Sequence, residues 1–178
     1  PGIEARDLSS LRQCSSGGAP MPFEVQGRVE RLISSRIGGG WGMTETCPAG
    51  TRLPPDAPRR AGLIGLPLPR VDLRIVSLDD PTREMPVGEI GEIAVRGPNV
   101  FAGYWNRATE NAAAFADGWF LTGDNGWMDE QGFFTLVDRR KNMILSGGFN
   151  VYPTAIEGAI YEHPDVTVCI VIGIPDAY

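Results

Sequence analysis

The chain is short of the groups on which much enzyme chemistry rests. Its one histidine, His163, sits in Glu162-His163-Pro164, where a helix terminator is the ordinary reading and a general base the rarer one. The three cysteines, Cys14, Cys47 and Cys169, are odd in number, far apart and without metal-ligand spacing. They read as reduced, packed or half-exposed thiols, which points to a cytoplasmic location. Basic residues number 16 against 22 acidic ones, for a formal charge of −6. No basic stripe is available to displace counterions, which argues against nonspecific nucleic-acid binding. No apolar run approaches the ~20 residues that cross a bilayer. No basic-then-apolar leader opens the chain. The Walker phosphate loop, the dinucleotide glycine fingerprint, the HExxH zinc motif and the nucleophile-elbow serine are all missing.

Glycine, by contrast, is plentiful, and it is concentrated where it matters. Gly38 to Glu45 reads GGGWGMTE: bare backbone, an indole at Trp41, a further glycine, a hydroxyl at Thr44 and a carboxylate at Glu45. Alone this is a glycine turn. Stacking plane, bare backbone, hydroxyl and acid within eight residues also suit a nucleotide phosphate with a magnesium ion.

Around this stretch the sequence predicts a mixed α/β fold. Leu11 to Cys14 reads as a strand feeding the turn SSGGAPMP, Ser15 to Pro22. Val25, Val29, Leu32 and Ile33 then fall at helical offsets, with Pro22 in the first turn and Gly38 at the end. Thr46 to Arg60 holds four prolines and no period, so it is expected to be loop. Val71, Leu73 and Ile75 alternate with polar residues as a strand does, and Ile90 to Arg96 and Phe133 to Val137 are further strands. Thr109 to Phe115 is a short helix with Thr109 or Asn106 as its cap. This middle third reads as a small antiparallel β unit, barrel-like, with one helix. Beyond the charged bridge Asp138-Arg139-Arg140-Lys141, Met143 to Leu145 is a brief strand and Pro153 to Glu162 a helix closed by Pro164. Val166 to Ile174 is predicted as a strand buried on both faces.

Two further segments have a plain and a chemical reading. Gly118 to Asp124, GWFLTGD, is a hairpin entrance with a capping aspartate, or an acid that accepts both hydroxyls of a ribose. The run from Asp138 to Lys141 is a solvated linker, or it brings a cation, Arg139, over a bound ligand.

SSGGAP, GWGMTET, GEIGEIAVRGPNVFAGYWN, DGWFLTGD and DRRKNMILSGGFNVYPTAIE occur in this order. Together they resemble the adenylate-forming (AMP-binding) superfamily of acyl-CoA synthetases, aryl-CoA ligases, luciferases and peptide-synthetase adenylation domains. The FNVYP element looks most like fatty-acyl and related acyl-CoA synthetases. The resemblance runs over essentially the whole chain. It implies the end of a large N-terminal domain, with an α/β part at residues 1–60 and a β-rich part at 61–138. The hinge and start of a small α+β C-terminal domain then occupy 139–178.

The resemblance also implies roles. Gly18, Ala19 and Pro20 lie along adenine, and Trp41 stacks on it, with Gly40, Gly42 and Met43 beside the nucleotide. Thr44 bonds the α-phosphate, Glu45 serves magnesium, Asp124 takes the ribose diol and Arg139 contacts the ribose. Lys141 is the hinge, Gly147 and Gly148 approach coenzyme A, and Gly38 and Gly39 line the acyl pocket. The implied reaction is ATP-dependent ligation of a fatty or related carboxylic acid to CoA through an acyl-adenylate. Alternatives are an adenylation domain that loads a carrier protein, an aryl-acid CoA ligase, and a non-catalytic adenylate-binding module.

Some family features are missing. The phosphate loop that normally precedes SSGGAP, with its lysine, is absent, and the lysine that serves adenylation normally lies beyond Tyr178. Relatives also carry lysine near Leu145 and Gly147, where this chain has none. The sequence, opening at Pro1, therefore reads as an internal fragment with little ligase activity of its own. Composition carries no signal for an oligomeric state.

Overall fold

The computed structural model describes residues 2–18, 21, 23–163 and 165–175. The expectations placed on Ala19, Pro20, Pro22 and Pro164 lie outside the described residues. Strand β1 (Cys14–Ser16), helix α1 (Phe23–Ile33) and strand β2 (Ile37–Gly39) form a parallel βαβ unit, with Cys14 opposite Ile37 and Ser16 opposite Gly39. This strand begins where the expected one ends, so Ser15 and Ser16 belong to the ladder and not to a turn.

The helix ends earlier than the glycine run suggests. Ser34, with φ of 51°, turns the chain out of α1, and Gly38 and Gly39 then run extended. Their glycine identity therefore answers to space and not to a left-handed backbone. A Cβ at Gly39 would stand 2.6 Å from the Ser16 carbonyl oxygen, and one at Gly40 would strike the Thr51 carbonyl. Glu30, buried on α1, accepts the Ile37 N–H at 2.9 Å and pairs with Arg59 at 2.6 Å, which ties helix, strand and following loop together.

A 3-10 turn, Thr44–Thr46, leads to a seven-stranded antiparallel sheet. Its strands are β3 (Thr51–Arg52), β4 (Leu63–Pro67), β5 (Asp72–Val76), β6 (Gly91–Arg96), β7 (Phe115–Ala116), β8 (Trp119–Met128) and β9 (Phe134–Arg139). Helix α2 (Ala108–Ala114) precedes β7. The spatial order is β3-β4-β9-β8-β6-β5, with β7 on β8. The sheet is curled, in keeping with the barrel-like expectation, and β3 and β5 stand at the ends of its path. Phe120, Phe134, Ile93, Val95, Ile75, Ile64 and Trp41 form its core.

Strands β3 and β4 escaped the sequence reading. Thr51 and Arg52 lie in a proline-rich run, and Gly65, with φ of 98°, and Pro67 break the alternation of β4. The helix-cap expectation also fails: Thr109 lies inside α2, and Arg107 occupies the cap position without a side-chain bond. The turn Asp117-Gly118 has both residues at positive φ, as a two-residue hairpin between β7 and β8 requires.

After β9, a 3-10 turn (Arg140–Asn142) leads to the hairpin β10 (Ile144–Ser146) and β11 (Phe149–Val151), then to helix α3 (Pro153–Ile160). The buried strand expected over Val166 to Ile174 is not formed among the described residues. Val168, Ile170, Ile172 and Ile174 are 73–80% exposed, while Cys169 and Val171 face α3 through Tyr161 and Glu157. Continuous apolar sequence marks a strand that needs cover on both faces; here α3 covers one. The glycine contacts predict that Gly40→Ala lowers stability by about 1–3 kcal/mol, the usual scale of overpacking. Gly38→Ala, whose Cβ would meet its nearest neighbour at an ordinary 3.5 Å, leaves it nearly unchanged. Thermal melting of the two variants in the intact protein checks this.

Candidate nucleotide site

The site is built outward from Trp41. Its backbone is fixed twice: its N–H donates to the Thr51 hydroxyl at 2.9 Å, and its carbonyl accepts both the Gly50 and Thr51 N–H at 2.9 Å. The indole lies against Gly50, where a Cβ would come within 2.5 Å of the ring. Trp41 is only 8% exposed and belongs to the sheet's core, while it also lines the neighbouring cleft. What the ring does make is a hydrogen bond across the fold. Its Nε1–H donates to Asp124 Oδ2 at 2.7 Å.

Asp124 sits in the middle of β8, directly opposite Arg139 on β9, so it is no hairpin cap. Residue Asp124 is 5% exposed, yet its Oδ1 lies 3.5 Å from the Arg139 Nε, on a side chain 59% exposed. Burial pushes its carboxyl above the ordinary aspartate range. The Trp41 bond and the Arg139 charge pull the other way, and the nearby Glu92 and Asp138 charges push it up further. The group is thus a desolvated carboxylate with one open neighbour, a cation that reaches solvent.

Glu45 follows on the 3-10 turn. Its backbone carbonyl accepts the Phe101 N–H at 2.8 Å, and its Oε1 accepts the Tyr104 hydroxyl at 2.8 Å. Asn111 holds Tyr104 in turn, accepting its N–H at 2.7 Å and donating to its carbonyl at 2.9 Å. Burial raises the Tyr104 hydroxyl's pKa, and the Glu45 bond and charge add to it, so the phenol stays a donor. Thr44 beside it is exposed. Among the described residues no three His, Cys, Asp or Glu side chains cluster as a metal cage. A single carboxylate with a free oxygen fits magnesium, which keeps its waters and takes phosphate oxygens instead.

Gly38, Gly39, Gly40 and Trp41 share one open cleft of about 420 Å³ with Ser16 and Gly17. Gly18, with φ of 82°, follows β1 at that edge. The proposed acyl and nucleotide glycines are therefore neighbours. Gly42 abuts the Pro48 carbonyl, and Met43 packs against the core. Gly147 and Gly148 stand apart from these residues, at the tip of the β10–β11 hairpin, with positive φ and open space around them. Lys141 is exposed on the turn after β9 and makes no ion pair among the described residues. Sequence reasoning missed Thr51, Gly50 and Tyr104. The only signal for Tyr104 was a hydroxyl-bearing aromatic in a glycine-rich loop; the other two emerge only from three-dimensional packing.

The sequence profile of the AMP-binding enzyme family matches residues 2–105. A long-chain-fatty-acid–CoA ligase of Bacillus subtilis is 41% identical over 178 residues, which is 100% of this chain and 32% of that protein. A feruloyl-CoA synthase of an Amycolatopsis species is 42% identical over 179 residues, covering 99% of this chain and 35% of that one. Among solved structures, ATP-bound MatB from Rhodopseudomonas palustris superposes with a TM-score of 0.87 at 39% identity, over 93% of this chain and 33% of that one. The o-succinylbenzoate CoA synthetase of Bacillus subtilis, holding its acyl-adenylate, gives 0.84 at 37% identity, over 94% of this chain and 34% of that one. The chain spans about a third of the length of the relatives it matches.

The raised carboxyl of Asp124 has a testable consequence. A folded-state pKa above the unfolded value favours folding when the group is protonated, and that contribution is lost as pH rises through the folded pKa. Asp124→Asn keeps an acceptor for the indole and removes the desolvated charge. It should leave the intact protein as stable or more stable at pH 7, while a nucleotide binds about tenfold or more weaker, the scale of one bond to a charged group. Melting curves from pH 5 to 8 and calorimetric titration with AMP check both halves.

Proposed function

The chain belongs to the AMP-binding enzyme family, and from that premise we propose that it is the nucleotide-holding part of an ATP-dependent acid–thiol ligase. The ligase joins a fatty or related carboxylic acid to coenzyme A through an acyl-adenylate. The observation that carries this reading is the meeting of Asp124, Arg139 and the Trp41 indole N–H at one point of the β8–β9 ladder. A buried carboxylate beside an exposed guanidinium is poorly explained as a fold-stabilising pair, because burial disfavours its charge. It is well explained as an acceptor for the two hydroxyls of a ribose. The ATP- and acyl-adenylate-bound relatives support a nucleotide as the ligand.

In this reading each group has one task. Asp124 accepts the ribose diol and Arg139 donates to the ribose. Trp41 orients Asp124 and offers its remaining edge to the base, alongside Gly18, Ala19, Pro20, Gly40, Gly42 and Met43. The Thr44 hydroxyl donates to the α-phosphate, and Glu45, steadied by Tyr104, is the protein ligand for magnesium. That ion, when bound, offsets charge on the phosphate oxygens. The acid's carboxylate oxygen attacks the α-phosphorus, the bond to the bridging oxygen breaks and pyrophosphate leaves. The CoA thiol then loses its proton and attacks the acyl carbonyl, and AMP departs.

The parts at residues 1–60, 61–138 and 139–178 belong to this proposal. The third part, carrying the Gly147-Gly148 hairpin tip, rotates about Lys141 between the two half-reactions. Arg140 supports that axis. It is pinned to the sheet by the buried Glu92 at 2.7 Å and by the Leu78 carbonyl at 2.7 Å, so Lys141 is the first residue past the anchor. Neither principal lysine of the reaction lies in this chain, so the chain alone is expected to bind nucleotide without turning over.

The intact protein is expected to catalyse ATP–pyrophosphate exchange that depends on an added long-chain carboxylic acid, and to release AMP when CoA is supplied. Exchange with no acid in a panel from acetate to palmitate and ferulate would contradict the reading. For the acyl pocket, Gly38 is the position to alter, because a side chain at Gly39 would first have to displace the β1 backbone. Gly38→Leu should shift acid preference toward shorter chains, seen as a changed ratio of kcat/KM values across the panel.

A further inference from the structure

Asp138 is joined to more partners than any strand ladder asks of it. It stands on β9 immediately before Arg139 and is almost fully buried. One carboxylate oxygen accepts the Thr154 N–H at 3.1 Å and the Thr154 hydroxyl at 2.8 Å. The other accepts the Arg139 N–H at 2.7 Å and the Asn142 amide at 3.2 Å. Thr154 lies 16 residues away in the first turn of α3, beyond the anchored Arg140, the turn and the whole β10–β11 hairpin. The cap position of α3 itself, Tyr152, supplies no side-chain bond. The helix is therefore capped from outside its own segment, by an anion at its positive end.

A second observation sits beside the first. Asn125 lies opposite Asp138 on β8 and opposite Glu92 on β6, and it is 0% exposed. Among the described residues neither its amide nitrogen nor its amide oxygen has a hydrogen-bond partner. Directly opposed side chains on neighbouring strands share a face and lie within reach of each other. A buried amide with both atoms unpaired is costly and calls for an explanation. Burial pushes the Asp138 carboxyl up, but the bonds from Thr154, Arg139 and Asn142 outweigh it and hold it below the ordinary range. The carboxylate is thus committed to α3 as long as α3 stays where it is.

We propose that Asp138 and Thr154 are positioning residues that latch the small unit to the β sheet in one of its two orientations, and that Asn125 takes over Asp138 when α3 swings away. This rests on the rotation about Lys141 argued under the proposed function. The exchange keeps the buried carboxylate hydrogen-bonded in both orientations: to α3 in the latched one, to the Asn125 amide N–H in the released one. Without the second partner, release would leave the oxygen that Thr154 holds with no donor from the protein, and rotation would be slow. The unpaired Asn125 is the vacant half of a two-position switch.

The test uses the intact enzyme and two variants that act on opposite sides of the switch. Thr154→Val removes the hydroxyl donor and favours release; Asn125→Leu removes the second donor and favours the latch. Acid-dependent pyrophosphate exchange and thioester formation from isolated acyl-adenylate are measured separately. The ratio of the two rates is expected to move by about tenfold in one direction with Thr154→Val, the scale of one bond to a charged group, and in the opposite direction with Asn125→Leu. Thr154→Ser restores the wild-type ratio. A common fall of both rates, or a shift of the ratio in the same direction for both variants, overturns the latch. Tryptic cleavage after Lys141 decides the matter without catalysis: Thr154→Val should speed it and Asn125→Leu should slow it, and equal rates refute the proposal. If the wild type ran neither half-reaction, the functional reading would fail while the cleavage rates still judged the latch.

Discussion

The hydrogen bond from the Trp41 indole to Asp124 joins the chain that follows the βαβ unit to the antiparallel sheet, at the candidate site. Trp41 ends the βαβ segment, and Asp124 lies in the centre of the sheet, 83 residues further on. The bond needs the indole to enter the core, which needs Gly50 bare and Thr51 in place to hold the Trp41 backbone. It also needs β8 to bulge beside Asp124, where Gly123 has φ of 73° and the register shifts against β6, while Arg139 on β9 still falls opposite. Around it the sheet's apolar residues exclude water, which is what makes the carboxylate poorly solvated and eager for donors.

That arrangement explains why the site tolerates an awkward ionisable group. A buried acid with one long-range indole bond and a solvent-reaching arginine costs stability, and in the proposed function a ligand with paired hydroxyls completes it. The same economy recurs at Glu45, which is steadied by one phenol and left with a free oxygen. Asp138 is the contrast: every oxygen is used, because its partner is the protein's own helix. The three acids thus differ in what they await. Asp124 and Glu45 are incomplete toward solvent, and Asp138 is complete toward α3.

Much of this was legible in the residues. Alternation at Val71, Leu73 and Ile75 gave β5, and the apolar spacing from Val25 to Ile33 gave α1. The acids and the arginine of the candidate site were legible through the ordered motifs that resemble the family; alone, GWFLTGD and the Asp138–Lys141 run also had plain readings. The full extent of the sheet was not legible: a two-residue strand such as β3 carries no period. Burial of Trp41 was also hidden, since it depends on Gly50, nine residues later, yielding the space. The apolar tail from Val166 showed the opposite failure. Its composition announced a covered strand, but cover is a property of neighbours, and α3 reaches one side only.

The central claim is that Asp124 holds the ribose diol of an adenine nucleotide. The most direct measurement is a cycle of two ligands and two proteins: ATP and 2′,3′-dideoxy-ATP binding to the intact wild type and to Asp124→Ala. Loss of the diol should weaken wild-type binding by about tenfold or more, and should cost the variant almost nothing, because the acceptor is already gone. An equal penalty in both proteins would mean that the hydroxyls are read elsewhere, and the account of the site would be wrong.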